Sequence, residues 1–327
     1  MINISNVVDV DFKIIKTEAP IGSYKSVAYI IPDKLIYNSE EVPAVLCTNQ
    51  DDVRALEQLS EEIKYNTQQF FNNGGVQLIL VTAGDYTLQG FKNAIDAAKA
   101  VSEDFIYVVI NNTICDVAEA VNGYTSTIVL EIAKWIETLK APQTIRLLLT
   151  KNIKSSDDIP VYNYEYIDAF KDLSVGVKYC SKQVNGKVVD AALLIGAYFT
   201  QINLDTVESI KDYCYTAEEI LNEKTVTDTD TGLTTTETTN VASENVAQSV
   251  YSKLVNRNYN FIDTIGNKII NFGGNLSNGT AITTDFATIC VENDICYANL
   301  NNMIDKQYLS EAGLTNLVSA ISKQLQR

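Results

Sequence analysis

An α/β fold, a mostly parallel sheet flanked by helices, is predicted by three features of the sequence. Segments with helical apolar spacing alternate with short, nearly unbroken apolar runs, the pattern of strands covered on both faces. Glycines punctuate the change from helix to strand, most clearly at Gln68-Gln69-Phe70-Phe71-Asn72-Asn73-Gly74-Gly75-Val76-Gln77-Leu78-Ile79-Leu80-Val81. There the spacing predicts a helix that ends at a left-handed glycine cap and a buried strand that starts directly after it. Third, 327 residues with 46% hydrophobic content and a mean hydropathy of -0.02 are enough to bury a sizeable core beneath such layers.

At the N-terminus Val8, Val10, Phe12 and Ile14 alternate with Asp9, Asp11 and Lys13, a period-2 strand with one apolar face. The break Glu18-Ala19-Pro20-Ile21-Gly22-Ser23 isolates it, so by itself it reads as an edge strand or as an arm that pairs elsewhere. Val27 to Ile31 and Val42 to Cys47 are strands. A single helix from Asp51 to Phe71 follows, with Asn49 or Asp51 as N-cap and Val53, Leu56, Leu59, Ile63 and Phe70 along its apolar stripe. After the strand at Val76 to Val81 come a helix at Thr87 to Val101 and a strand at Phe105 to Ile110. Cys115 to Leu139 is one long helix or two broken around Asn122-Gly123, and Ile145 to Leu149 is again a strand. The polar stretch Lys151 to Pro160 interrupts the alternation, and Tyr162, Tyr164 and Tyr166 then alternate as a strand with an aromatic face. A strand at Val175 to Tyr179 and a helix at Val188 to Gln201 complete the core.

From Asn222 to Asn240 the chain is Thr-rich with almost nothing to bury, an exposed loop or a solvated hairpin. A helix from Val241 to Arg257 precedes a hairpin whose strands, Tyr259 to Ile265 and Lys268 to Phe272, straddle Gly266-Asn267. Asp285 caps a long helix with the stripe Phe286, Ile289, Cys296, Leu300, Met303 and Ile304. Ser310 caps the last, carrying Leu314, Leu317, Val318, Ile321 and Leu325. The expected division is an N-terminal arm over 1–22, an α/β core over 23–208, an insertion with the Thr-rich loop and β-hairpin over 209–284, and C-terminal helices packing on the core over 285–327.

The chain contains no histidine, which removes the commonest general base, the commonest metal ligand and every Ser/His or Cys/His nucleophile pair. A net charge of -16 and the lack of a basic run oppose binding along a phosphate backbone, so nucleic acid is not an expected partner. Cys47, Cys115, Cys180, Cys214, Cys290 and Cys296 are scattered without a C-x-x-C and read as buried free thiols of a reducing compartment. No basic-then-apolar leader opens the chain and no apolar run reaches membrane-spanning length, so folding in a cytoplasm without membrane insertion is expected.

Other motifs have structural readings. Gly74-Gly75 closes a helix and opens a strand, the reverse of a phosphate loop, and Gly273-Gly274 runs into Leu276-Ser277-Asn278-Gly279-Thr280 as a turn. Asp228-Thr229-Asp230-Thr231-Gly232 has its glycine one place early for a calcium loop and reads as a hydrated acidic loop. The acidic pairs Asp51-Asp52, Glu61-Glu62, Asp157-Asp158 and Glu218-Glu219 read as solvated charge or helix starts. No catalytic residue, cofactor site or metal site is assigned.

Five stretches, in order, resemble the sheath proteins of contractile phage tails and related injection machines. They are Ile4-Ser5-Asn6-Val7-Val8-Asp9-Val10, Phe70 through Gly74-Gly75 to Val81, Leu194-Ile195-Gly196-Ala197-Tyr198-Phe199, Tyr259 through Gly266 to Gly279-Thr280, and Ile304-Asp305-Lys306-Gln307-Tyr308-Leu309-Ser310-Glu311-Ala312-Gly313-Leu314. The resemblance implies a non-enzymatic subunit that self-associates into a helical sheath around an inner tail tube, between baseplate and tail terminator proteins, and contracts to drive the tube through an envelope. It implies a place in a virion tail assembled in a bacterial cytoplasm. It also shifts the reading of the first strand: Val8, Val10, Phe12 and Ile14 become the buried face of an arm that adds to a neighbour's sheet. Members of that family continue past the last helix into a further strand-bearing segment, whereas this sequence stops at Arg327. Two other functions stay open at this stage, another tail or baseplate component of the same particle and an α/β nucleotide-binding enzyme.

Overall fold

The computed structural model describes residues 24–116, 127–151, 164–202, 212–227 and 234–304. In chain order its elements begin with β1 (Ser26–Ile31), the small hairpin β2 (Leu35–Tyr37) and β3 (Glu40–Val42), then β4 (Ala44–Cys47), α1 (Gln50–Arg54), α2 (Glu61–Asn72) and β5 (Gln77–Thr82). They continue as α3 (Leu88–Val101), β6 (Phe105–Ile110), α4 (Asn112–Asp116), α5 (Thr127–Glu137), β7 (Arg146–Lys151), β8 (Val175–Tyr179), the short pair β9 (Gln183–Val184) and β10 (Lys187–Val188), and α6 (Ala192–Thr200). Last come β11 (Leu221–Thr227), β12 (Thr234–Asn240), α7 (Gln248–Val255), β13 (Phe261–Ile265), β14 (Lys268–Phe272) and α8 (Ile282–Ile304).

Six strands form the central sheet in the order β4-β5-β1-β6-β7-β8. All neighbours are parallel except β4, which runs antiparallel to β5, so the expected mostly parallel α/β sheet is present with one reversed edge. The alternation of side chains along β1 divides the core. Ala28 and Ile30 face α3 and α5 through Phe91, Ile95, Val129 and Ile132, while Val27, Tyr29 and Ile31 face α2, α6 and α8 through Phe70, Ile195, Phe199 and Phe286. Every residue of β1 and β6 is buried, which is why both read as unbroken apolar runs; each such side chain contributes about 1.5–3 kcal/mol.

The junction of α2 and β5 follows its sequence closely. Gly74 has φ +82°, its N–H donates to the Phe71 carbonyl and that of Gly75 to the Phe70 carbonyl, a Schellman cap. Gly196 serves a different purpose: a Cβ there would stand 2.7 Å from Val27 Cγ2, so the missing side chain lets α6 lie close against β1.

Several expected elements differ. The helix foreseen over Asp51 to Phe71 is two helices, because Gln58 takes φ +64° and the Glu57 N–H donates to the Ile36 carbonyl at 3.1 Å; Ser60 then caps α2. Pro43 divides the foreseen strand at Val42 to Cys47 into the end of a hairpin and the edge strand β4. That hairpin turns on Asn38 and Ser39, both at positive φ. Tyr164–Phe170 is a 3-10 helix that buries Tyr166, rather than a strand with an aromatic face. The helix expected from Val188 begins at Ala192, and the one expected from Val241 begins at Gln248; in both cases preceding residues are bonded to neighbouring segments, as in Asp190 N–H to Asn66 Oδ1 and Val241 N–H to the Ile220 carbonyl. Asp285 lies in the first turn of α8, three residues past its start, and is committed to Arg146. The Thr-rich segment is a hairpin, and β13 and β14 pair across Gly266-Asn267 as the spacing predicts.

Candidate functional site

In open α/β sheets ligands bind outside the carboxyl ends of the parallel strands. Here that position holds a side chain of the chain itself. Asp190, just before α6, accepts hydrogen bonds from the Tyr29 hydroxyl of β1 at 3.0 Å, from the Asn112 N–H beyond β6 at 3.2 Å, and from the Thr150 hydroxyl of β7. Asn111 Nδ2 donates to the Tyr29 hydroxyl at 2.7 Å. The Asp190 N–H donates to Asn66 Oδ1 of α2 at 2.8 Å, and Ala192 N–H, an otherwise orphaned donor at the start of α6, finds Thr150 Oγ1 at 2.8 Å. The Asp190 carboxylate thereby ties the start of α4 to β1 and β7, and the Asp190 and Ala192 N–H groups add α2 and α6 to the same node.

Burial pushes the Asp190 carboxyl up to about 6, against the hydrogen bonds from Thr150, Tyr29 and Asn112, which favour the ionised form. A folded-state value above the unfolded one means that protonation favours folding. The stabilisation is full below the unfolded value of 3.8 and is lost as the pH rises through about 6. Relative to an Asp190→Asn variant, the parent is therefore expected to lose on the order of 3 kcal/mol between about pH 4 and pH 7. Urea denaturation of both proteins at the two pH values measures this, and a pH-independent difference would contradict it.

A second buried node lies on β8. Lys178, with no exposed surface, donates to the Tyr213 hydroxyl at 2.8 Å, to Asn271 Oδ1 at 2.9 Å and to the Glu218 carboxylate. The Tyr213 hydroxyl in turn donates to Glu218 Oε1 at 2.6 Å. Burial lowers the Lys178 ammonium from its ordinary value, opposed chiefly by the Glu218 charge. Glu218 is thus half of an internal ion pair, not the solvated acid its sequence context suggested. The node fastens β14 and the segment before β11 to the central sheet.

The edges of the sheets are treated differently. β4 is four residues long and follows Pro43. β8 is covered where Asn260 N–H donates to the Val177 carbonyl at 2.9 Å and Tyr179 N–H to the Asn260 carbonyl at 2.7 Å. β11 and β12 form a separate two-stranded ladder, with the side chains of Thr234 to Thr239 exposed. The arm residues Val8, Val10, Phe12 and Ile14 lie outside the described residues, as do Asp228-Thr229-Asp230-Thr231-Gly232 and the helix foreseen after Ser310. Cys47, Cys180 and Cys290 are buried free thiols as expected, whereas Cys214 and Cys296 are free but only half-buried. No helix among the described residues is long and apolar enough to cross a membrane.

The same architecture occurs in the contracted helical sheath of the anti-feeding prophage, with a TM-score of 0.59 and 14% identity over 98% of this chain and 83% of that one. The fold is that of a contractile tail sheath. This sheath-like fold also matches a chain of the contracted anti-feeding prophage baseplate, with a TM-score of 0.56 and 16% identity over 92% of this chain and 76% of that one. No protein-family model matches the sequence, and no curated protein does either. Within the sheath-like fold, the nodes at Asp190 and Lys178 fasten helices and peripheral segments to the central sheet.

Proposed function

We propose that the chain is the structural subunit of a contractile tail sheath. Copies polymerise as a helical tube around an inner tail tube, joined to baseplate and terminator proteins at its ends. Contraction then drives the inner tube through the target envelope, in a tail particle assembled in the bacterial cytoplasm. The observation that carries this reading is the near end-to-end likeness to the anti-feeding prophage sheath chain. Energy for contraction would lie in two packings of the same subunits, with no substrate turned over. The N-terminal arm, with Val8, Val10, Phe12 and Ile14 as its apolar face, adds a strand to a neighbouring copy. In this reading residues 23–208 form the sliding body, with 209–284 inserted into it and 285–327 packed against it.

A second reading, a baseplate component, draws on the likeness to the anti-feeding prophage baseplate. Negative-stain electron microscopy of the concentrated protein separates the two. Hollow tubes of variable length are expected of a sheath subunit, whereas closed assemblies of fixed size would favour the baseplate role.

A further inference from the structure

The β11–β12 hairpin is long and polar, with seven registered pairs from Leu221–Asn240 to Thr227–Thr234. Isolated two-stranded hairpins are marginal in water, and this one exposes Thr234 to Thr239 on both faces of β12. Its bonding pattern identifies which backbone groups point away from the ladder. Val241 N–H donates to the Ile220 carbonyl, so the alternation of an antiparallel pair places Asn222–Thr239, Lys224–Glu237 and Val226–Thr235 as the bonded pairs. The N–H and C=O groups of Leu221, Glu223 and Thr225 then face outward on β11, and those of Thr236 and Thr238 face outward on β12.

The two outer edges differ. At the base of β11, Leu221 N–H donates to Gln69 Oε1 at 2.8 Å, the Leu221 carbonyl accepts from the Tyr65 hydroxyl at 3.0 Å, and the Glu223 carbonyl accepts from Asn185 Nδ2 at 3.5 Å. On β12, the outward groups of Thr236 and Thr238 meet no partner among the described residues. Natural edge strands are blunted by shortness, proline, lysine, bulges or a covering segment. The central sheet uses these devices, with a short β4 behind Pro43 and a β8 covered by Asn260. The seven-residue β12 sequence Thr-Thr-Thr-Glu-Thr-Thr-Asn has no proline or lysine, no segment among the described residues bonds its outer edge, and threonine favours the strand conformation.

We infer that the outer edge of β12 pairs with the hairpin of a second copy of this chain, β12 against the tip half of β11 in head-to-tail order. Charge favours that choice. Continuing the ladder sets Glu237 beside Lys224 of the next copy, as within one hairpin, whereas β12 paired with another β12 gathers two Glu237 carboxylates. Between chains that each carry a net charge of -16, a strand pair that sets Glu237 beside Lys224, with Glu223 facing the neutral Thr238, meets less repulsion than one that sets two Glu237 carboxylates together. Head-to-tail contacts extend into open helical arrays, which is where this inference leans on the sheath reading; two-fold contacts close. Each contact is weak alone and multiplied along an array.

Thr236→Pro combined with Thr238→Pro tests this, since both lost N–H groups point outward and the β11–β12 ladder keeps its bonds. Sedimentation at increasing concentration is expected to show self-association of the parent weakened by about tenfold or more in the variant, at an unchanged melting temperature. Equal association of the two proteins, or no association of the parent, overturns the inference. Loss of association by the variant from a parent that forms no tubes upholds the hairpin contact and removes the sheath reading. In a mixture of Thr236→Cys and Thr225→Cys chains, a disulfide between unlike chains is expected under mild oxidation. The same crosslink in Thr236→Cys alone overturns the head-to-tail order.

Discussion

Removal of residues 1–16 is expected to raise the concentration needed for polymerisation by a hundredfold or more, while the melting temperature stays that of the full chain. The fold gives the second half of this expectation. β1 begins at Ser26, and among the described residues the six strands of the central sheet, from β4 to β8, all lie after residue 23. The first half rests on what the arm would bury. Four apolar side chains, Val8, Val10, Phe12 and Ile14, contribute about 6–12 kcal/mol when removed from water. Ordering about seven residues costs about 1–2 kcal/mol each, and the added strand's hydrogen bonds return about 0.5–1.5 kcal/mol each. A few kcal/mol per contact remains, and about 2.7 kcal/mol corresponds to a factor of one hundred. Sedimentation of the deletion variant beside the parent measures the change, and polymers at the parent's concentration would refute the arm's role.

Lys178→Ala is expected to destabilise the folded chain by about 3–5 kcal/mol, because it leaves the Glu218 carboxylate buried without its cation. Glu218 retains the Tyr213 hydroxyl, but one neutral hydrogen bond does not replace an ammonium at a site with 4% exposure. Asn271 Oδ1 loses its donor as well, keeping only the longer Tyr213 contact at 3.3 Å. The paired change Lys178→Met with Glu218→Leu removes both charges and should recover much of the loss, since an apolar pair of similar volume is often neutral relative to a buried ion pair. Guanidinium denaturation measures the three variants. A single change costing under about 1 kcal/mol would contradict the picture of a closed internal node.

The parts of the fold that depend on neighbours in sequence were legible in the sequence. Gly74 and Gly75 marked their Schellman cap because a left-handed residue after a helical stripe is a local requirement. The limits of Phe105–Ile110 are visible in its apolar run because a fully buried strand admits no polar interruption. Elements set by distant partners were not. Val53, Leu56, Leu59 and Ile63 keep helical spacing across the break between α1 and α2, and what divides them is Ile36 bonding Glu57 and Asp33 Oδ2 accepting the Ser60 N–H at 2.7 Å. Val241 to Ala247 suits a helix by composition but pairs with Ile220 and Ile262 instead.

The internal nodes show the same divide. Asp190 interrupts Val188-Val189-Asp190-Ala191-Ala192-Leu193-Leu194, and a lone carboxylate in an apolar run signals a buried, partnered charge. Its partner Tyr29 is 161 positions away, so the signal could name a node but not its members. Glu218, beside Glu219 in a polar stretch, carried no such mark. Lys178 did, standing alone in Val175-Gly176-Val177-Lys178-Tyr179-Cys180.

The central claim, that this sheath-like body is the repeating unit of a polymer, is tested most directly by sedimentation velocity of the parent chain over a wide concentration range. A cooperative transition is expected, from the 36.1 kDa chain to very large species above a threshold concentration. A single boundary at the mass of one chain, persisting to high concentration, would contradict it.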